Sequence, residues 1–451
     1  MLPLAPPIRV AMATALLALC ASTSPAADWP QWLGPDRDGV WKEDGILETL
    51  PKDGPKVLWR KPIHGGYSGP AVAAGRVFVM DRIKKEADSK AEKGTGQPGT
   101  ERVVCFDFKT GETLWTHEYD STYLKVDRPI GPRTTPSVDG DRVYTLGTMG
   151  DLRCLDAKTG KPVWTKSFEK DYAAKSPVWG YSAHLLIEND LVIALVGGEG
   201  KAVVAFDKLT GQEKWTALTS ADVGYSAPVI AEAGGVRQLI VWLSDALAGL
   251  NPSTGEVHWR HRHPEQGKVQ QKPTVTISTP KVVGDKVYVS SAYDGMLAVK
   301  LAKDKPSAEI AWREKVGLRD EHPLRILMSS ILVRDGHLYG IASDTGDVFC
   351  ADAETGKGVW KSNELFGGKP ALFGTAFWVE QGDRIFAFTD AGDLVILKLT
   401  PKKYEELGRA HLLDPIGADR GRKVIWSHPA FAGKSMIVRN EKEVVCFSLA
   451  K

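Results

Sequence analysis

The chain is short of the features that mark several large classes of protein. Lys and Arg number 58 against 56 Asp and Glu, a formal net charge of +2 over 451 residues. Nothing in that balance draws the chain to nucleic acid or to an anionic membrane surface. Beyond the N-terminus no run approaches the ~18 consecutive apolar residues of a membrane-spanning helix. Cysteine is scarce, at five residues. There is no His-Glu-x-x-His for a zinc protease and no Gly-x-Ser-x-Gly for a hydrolase nucleophile.

What the chain has in quantity is 45 Gly, 27 Pro and 14 Trp, with 43% hydrophobic and 25% charged residues. Many turns and many large aromatic plugs point to a repetitive all-β protein with ample core, and the charged fraction argues against general disorder. Residues 1–27 read as a signal peptide. Arg9 precedes the apolar run Val10 to Ala21, and Ser24-Pro25-Ala26-Ala27 offers small residues for cleavage. The run is too short to cross and stay. Cys20 raises lipid anchoring as the minor alternative, although Leu19 before it suits the lipoprotein peptidase poorly. Residues 28–56 form a lead-in segment, and 57–451 form one repetitive domain.

The repeat is explicit. Phe106 to Trp115, Leu155 to Trp164, Phe206 to Trp215, Leu250 to Trp259 and Ala351 to Trp360 superimpose, with Thr-Gly four to five residues before each Trp. Asp107, Asp156, Asp207 and Asp352 stand eight before it, as does Asn251 in the remaining copy. The side chain of Asp or Asn opens a turn by bonding its own backbone. Gly111, Gly160, Gly211, Gly255 and Gly356 then take the position that a side chain would strain. The next strand ends in an indole large enough to fill the gap between two sheets. Upstream stands a second signature: Ser or Thr before a Pro, an apolar strand, a Gly/Asp turn and another strand. Thr135-Pro136 through Tyr144, Thr279-Pro280 through Tyr288 and Ser68 to Phe78 are examples. Each unit therefore holds four strands, the content of a propeller blade.

Trp59, Trp115, Trp164, Trp215, Trp259, Trp312 and Trp360 recur at a period near 50 residues. Trp312 follows a copy whose turn, Lys303-Asp304-Lys305-Pro306, has lost Thr-Gly. Two further units run from Phe377 to about Leu412 and from Trp426 to Phe447. Cys446 holds the place ten residues before a Trp, yet the chain stops at Lys451, while Trp59 has no blade in front of it. The expectation is an all-β, eight-bladed propeller of four-stranded antiparallel blades, closed by the N-terminal strand completing the last blade. Closure removes the exposed strand edges of an open sheet. Cys105, Cys154, Cys350 and Cys446 share one repeat position, held elsewhere by Ala205 and Gly249. They should lie too far apart to bridge and remain four free thiols.

The Asp-x-x-Thr-Gly-x-x-x-Trp unit resembles the tryptophan-docking motif of the pyrroloquinoline quinone (PQQ) repeat propellers. That superfamily includes the quinoprotein alcohol dehydrogenases and the non-enzymatic B component of the outer-membrane β-barrel assembly machinery. The resemblance covers 57–451 and is specific for fold, not activity. The opening Trp29-Pro30-Gln31-Trp32-Leu33-Gly34-Pro35 with Arg37-Asp38-Gly39 looks like the lead-in of secreted propellers of this type. For the dehydrogenases the resemblance implies an adjacent Cys-Cys pair, acidic and Asn ligands for Ca²⁺, and a catalytic Asp. No two cysteines adjoin here, the ligand set matches no particular positions, and no Cys-x-x-Cys-His haem site is present. No catalytic residue, resident cofactor or metal site is therefore expected, PQQ with calcium being the alternative.

Three other features invite a functional reading. Gly94-Thr95-Gly96-Gln97-Pro98-Gly99 matches a dinucleotide fingerprint in form, but Pro98 and the Lys/Glu-rich setting make 82–101 a surface loop of the first blade. His258, His261 and His263 cluster around Trp259 without a nearby acid or Cys, as solvated side chains do. The segments joining blades, notably 116–135, 165–183, 260–279 and 313–329, cross one face to the central channel. They and their neighbours carry His64, Tyr67, Arg128, Arg133, Trp179, Tyr181, His184, Tyr225, Gln270, Arg319, His322, Arg325, Trp426 and His428. Aromatic and basic groups converging on a funnel can grip a small ligand or a partner protein. The functional expectation is an exported, non-catalytic binding scaffold of the periplasm or cell envelope. A PQQ-dependent dehydrogenase of alcohols or sugars is the alternative.

Overall fold

The computed structural model describes residues 27–85, 96–263, 275–314, 324–419 and 421–451. Eight four-stranded antiparallel sheets follow one another along the chain. Blade 1 spans Ala71 to Asp120, blade 2 Ser137 to Ser167, blade 3 Leu186 to Ala217 and blade 4 Val229 to Arg262. Blade 5 spans Lys281 to Arg313, blade 6 Leu332 to Ser362 and blade 7 Ala376 to His411. Blade 8 takes three strands from Ala430 to Ser448 and its fourth, Val57–Pro62, from the other end of the chain. The first strands of neighbouring blades approach one another, which places them around the central axis. Among the described residues helix is confined to Phe168–Tyr172 and a 3₁₀ turn at Glu364–Phe366.

Closure falls where the repeat phase requires it. Trp59 stands opposite Cys446 in the register of blade 8, the same pairing as Cys105 with Trp115, Cys154 with Trp164 and Cys350 with Trp360. In every blade the ladder slips by one residue just beside that pair, so the bulge belongs to the repeat. All four described thiols are free and buried.

Five of the repeat indoles donate across to the following blade. The Trp59 indole N–H donates to the Phe108 carbonyl at 2.8 Å, and Trp115, Trp164 and Trp312 repeat the contact on Ala157, Lys208 and Ala353. The acceptor sits one residue after the Asp. The Asp107 carboxylate takes hydrogen bonds from the Lys109 and Thr110 amides and from the Thr110 hydroxyl, which fixes the turn. Gly111 closes it at φ +68°, its α-carbon so close to the Trp59 ring that an added Cβ would lie 2.7 Å from it. Gly160, Gly211, Gly255 and Gly356 meet Trp115, Trp164, Trp215 and Trp312 in the same way. Where blade 5 has lost Thr-Gly, Trp259 turns to its own blade and donates to Gln238 Oε1 at 2.7 Å. Trp360 finds the Thr400 carbonyl instead. Blade 7 has no indole at the repeat position: Gly408 holds that place in the register, and Leu50 of the lead-in packs there.

The expectation of a surface loop over 82–101 is corrected by the structure. The second and third strands of blade 1 stay paired out to Lys84 and Gly99. Arg82 lies 3.8 Å above the Tyr123 ring and donates to the Pro129 and Gln97 carbonyls. Buried Glu101 accepts from the Tyr119 and Tyr123 hydroxyls and the Thr148 amide. These partners let two charged residues continue the hairpin inward; residues 86–95, and with them Gly94 and Thr95, lie outside the described residues.

Truncating Trp59 to Ala is expected to cost about 3–5 kcal/mol in urea unfolding, because it opens the seam where the two chain ends meet. Leu58, 46% exposed on the same strand, serves as the control and should change stability by less than ~0.5 kcal/mol when made Ala. Burial pushes the thiols of Cys105, Cys154 and Cys446 up to about 12 and that of Cys350 up to about 11. In protein lacking residues 1–27, a thiol reagent at pH 8 should therefore titrate none of the four until denaturant is added.

Candidate functional site

The lead-in segment turns the axial channel into a blind cup. Trp29 pairs with Val72 of blade 1, and the Pro30 carbonyl accepts from Val138 of blade 2. Arg37 donates to the Leu185 carbonyl before blade 3 and the Pro228 carbonyl before blade 4. Val40 bridges to Glu380 of blade 7, and Ile46 to Ala450 after blade 8. Midway, Trp32 enters the axis. Its indole stacks on His184 with ring centroids 4.1 Å apart and planes 6° apart, and meets the His428 ring edge-on at 4.1 Å. Its N–H donates to Thr279 Oγ1 at 2.9 Å.

On the other side of this floor lies a cavity of about 270 Å³. Its wall has an eight-fold logic. Tyr67, Arg133, Tyr225, Ile277 and Trp426 each stand three residues before the proline that leads into a first strand, namely Pro70, Pro136, Pro228, Pro280 and Pro429. Ser182 and Met328 occupy the same place before Leu185 and Ile331, and Phe373 contributes from just before blade 7. Closer to the floor come His184, Thr279, Phe377 and His428, with Asp127, Arg128, Trp179, Tyr293 and Leu327 completing the wall.

The segment 127–133 knits the rim together. Asp127 accepts from the Trp179 indole at 3.2 Å and from Arg128 at 2.9 Å, while the Arg128 guanidinium lies 5.5 Å from the Trp426 ring centre. Arg133 lies 5.2 Å from the Tyr67 ring and donates to the carbonyls of Gly131, Asp127 and Arg128. Trp179 and Tyr225 make one aromatic pair at 5.2 Å, and Tyr67 and Trp426 another at 6.1 Å.

Burial governs the two histidines. His184 Nδ1 accepts the Thr135 amide hydrogen at 2.9 Å, so its proton sits on Nε2 of a neutral ring, and His428 Nε2 shares a short hydrogen bond with Thr135 Oγ1. Desolvation holds His184 well below the usual imidazole range, helped by the neighbouring His428, and pushes His428 down to about 3.

Of the residues singled out from sequence, Tyr67, Arg128, Arg133, Trp179, His184, Tyr225, Trp426 and His428 meet in this one cavity. Three described ones do not line it. His64 contributes its backbone, N–H to Asp81 and C=O to Arg439. Tyr181 is buried, its ring against Phe168 and its hydroxyl on the Val196 carbonyl. Arg325 stands before blade 6, its carbonyl accepting from Ser343. Gln270, Arg319 and His322 lie outside the described residues. Sequence reasoning missed Trp32 and the apolar members Ile277, Met328 and Phe373; counting back three places from the repeated proline would have found Ile277.

Among the described residues no group of three or more His, Cys, Asp or Glu gathers where it could hold a metal ion. His261 instead contacts the Ala308 carbonyl, and His263 is buried against that of Gly295, not solvated.

A closed ring of eight four-stranded blades, indole-wedged and floored by its own lead-in, defines a repeat β-propeller with an axial cup. The chain belongs to the family described as outer membrane protein assembly factor BamB, which matches residues 99–362, more than half its length. No curated relative matches the sequence. Solved structures share its fold. BamB from Moraxella catarrhalis is 16% identical with a TM-score of 0.56, over 87% of this chain and 97% of that one. The quinohemoprotein alcohol dehydrogenase of Comamonas testosteroni is 13% identical with a TM-score of 0.61, over 95% and 82%. A europium-containing methanol dehydrogenase is 12% identical with a TM-score of 0.61, over 93% and 89%.

Stability should fall as the pH drops from 6.5 toward 3. The unfolded chain protonates both histidines near 6.5, whereas the native cup keeps them neutral, so their contribution is complete above 6.5 and is lost below it. Each contributes a slope of up to ~1.4 kcal/mol per pH unit. The check is Tm from pH 7 to 4.5, where His428→Gln should flatten the profile. The comparison with the variant cancels the opposing contributions of Asp151, pushed up to about 6 by burial, and of His411.

Proposed function

We propose that the protein is a non-catalytic binding propeller exported to the periplasm or cell envelope, with the Trp32-floored cup as its ligand site. The observation that carries this reading is the character of the described wall. It is dominated by aromatic rings and holds a single carboxylate, Asp127, already engaged by Trp179 and Arg128. Such a wall suits recognition through ring faces and a few placed donors. Family membership favours the same reading, since the family is described by an outer-membrane assembly factor. No helix among the described residues is long and apolar enough to cross a membrane. Export rests on the character of residues 1–27, with anchoring at Cys20 as the minor route.

A quinone dehydrogenase asks more of the cup. Ca²⁺ takes six to eight oxygen ligands, several of them carboxylate. Asp127, turned to an indole and a guanidinium, does not supply that set, so the described residues do not fit a calcium–quinone centre and no redox step is assigned to them.

The test is to add PQQ and Ca²⁺ to the purified protein, then follow quinone absorbance and dye reduction with alcohols and sugars. No stoichiometric binding and no turnover is expected. Tight one-to-one binding with dye reduction would establish the dehydrogenase and overturn the proposal.

A further inference from the structure

We infer that the cup takes a single-ring organic carboxylate, gripped by Arg133 together with the Tyr225 hydroxyl and the Trp426 indole N–H. The inference rests on the binding reading above and names its ligand class. It starts from donors that the protein leaves without acceptors. Tyr225 is 4% exposed, and its O–H donates to no protein group. The Trp426 Nε1 atom is buried and likewise without an acceptor. Both residues line the cup. A buried donor facing no acceptor is costly, and ligand oxygens placed against each of them would relieve that cost.

Arg133 supplies the charge. Its hydrogen bonds run to the carbonyls of Gly131, Asp127 and Arg128 at 2.8, 3.1 and 2.8 Å, and none of them to a carboxylate. A guanidinium in a cavity wall whose hydrogen bonds run to carbonyl dipoles and not to a carboxylate retains most of its attraction for an oxyanion. Arg128 adds a second positive charge and Asp127 one negative, so the rim disfavours cations.

The rings define the rest of the ligand. Trp179 with Tyr225, and Tyr67 with Trp426, present two aromatic pairs, tilted by 37° and 36° within each pair. Their faces welcome the flat body of an aromatic acid or the C–H face of a hexuronate, and the volume of about 270 Å³ limits the occupant to about one substituted ring. A bare phosphate would leave these faces unused. Aromatic acid and sugar acid share one chemistry, a carboxylate on a ring, and the probes separate them.

The experiment titrates the protein with 4-hydroxybenzoate, glucuronate and their uncharged counterparts 4-hydroxybenzamide and glucose. Indole fluorescence and calorimetry give the readout. One acid should saturate at least about 10-fold more tightly than its neutral counterpart, about 1.4 kcal/mol by the affinity scale. The isosteric Tyr225→Phe should weaken it about 10-fold with Tm unchanged. Arg133→Gln should erase the preference for the acid; where that variant has a lowered Tm, Arg133→Lys should retain the preference. Equal binding of acid and neutral forms would overturn the carboxylate assignment while leaving the cup a binding site. No response to any of the four at 10 mM would overturn the inference, with the quinone titration standing as the separate test of the cup.

Discussion

The indole that crosses from one blade to the next turn holds this molecule together. A sheet of four strands with two apolar faces is not stable alone, and eight of them need a spacer that is large, flat and directional at one edge. The Asp or Asn turn and its glycine make a seat, and the preceding blade's Trp fills it; at the four Asp seats its N–H donates to the carbonyl one residue past the Asp. The seat costs little sequence. Nine positions suffice, which is why the unit can recur with its strands otherwise free to vary. Its exceptions obey the same requirement. Trp259 satisfies its N–H on Gln238 because the next seat is missing, and Leu50 fills the place that Gly408 leaves empty.

A ring built this way has a hole along its axis, and the lead-in decides what becomes of it. Residues 29–46 bond to seven of the eight blades by backbone or side chain, with Trp32 set in the middle. The floor is therefore a segment outside the repeat, while the wall is drawn from equivalent positions of the repeat itself. That division lets wall residues change without disturbing the blades. Here they have become Tyr67, Arg133, Tyr225 and Trp426, an unusual concentration of rings and charge for positions that need only cap a strand.

Most of the fold was legible because it is written in a fixed phase. Trp59 with no blade before it and Cys446 with no Trp after it together predict their pairing, 387 residues apart and directly opposite in the sheet. The wall was half legible. Tyr67, Arg133 and Trp426 are conspicuous by type, whereas Ile277 and Met328 resemble core residues and only their phase marks them. Tyr181 shows the converse: it lies next to Ser182, which does face the cup, and the one-residue offset turns it into the packing around Phe168. The floor was illegible. Trp32 belongs to no repeat, and its partners His184, Thr279 and His428 are 152 to 396 residues away, a distance over which local pattern carries no information.

The split blade has a consequence for how the protein comes into being. Its first strand is made before any other and its three partners after all others, so the ring cannot lock while the chain is still being synthesised. Closing so long a loop costs entropy that no local contact offsets. A chain of this design acquires its circular form only when its tail arrives to meet its head.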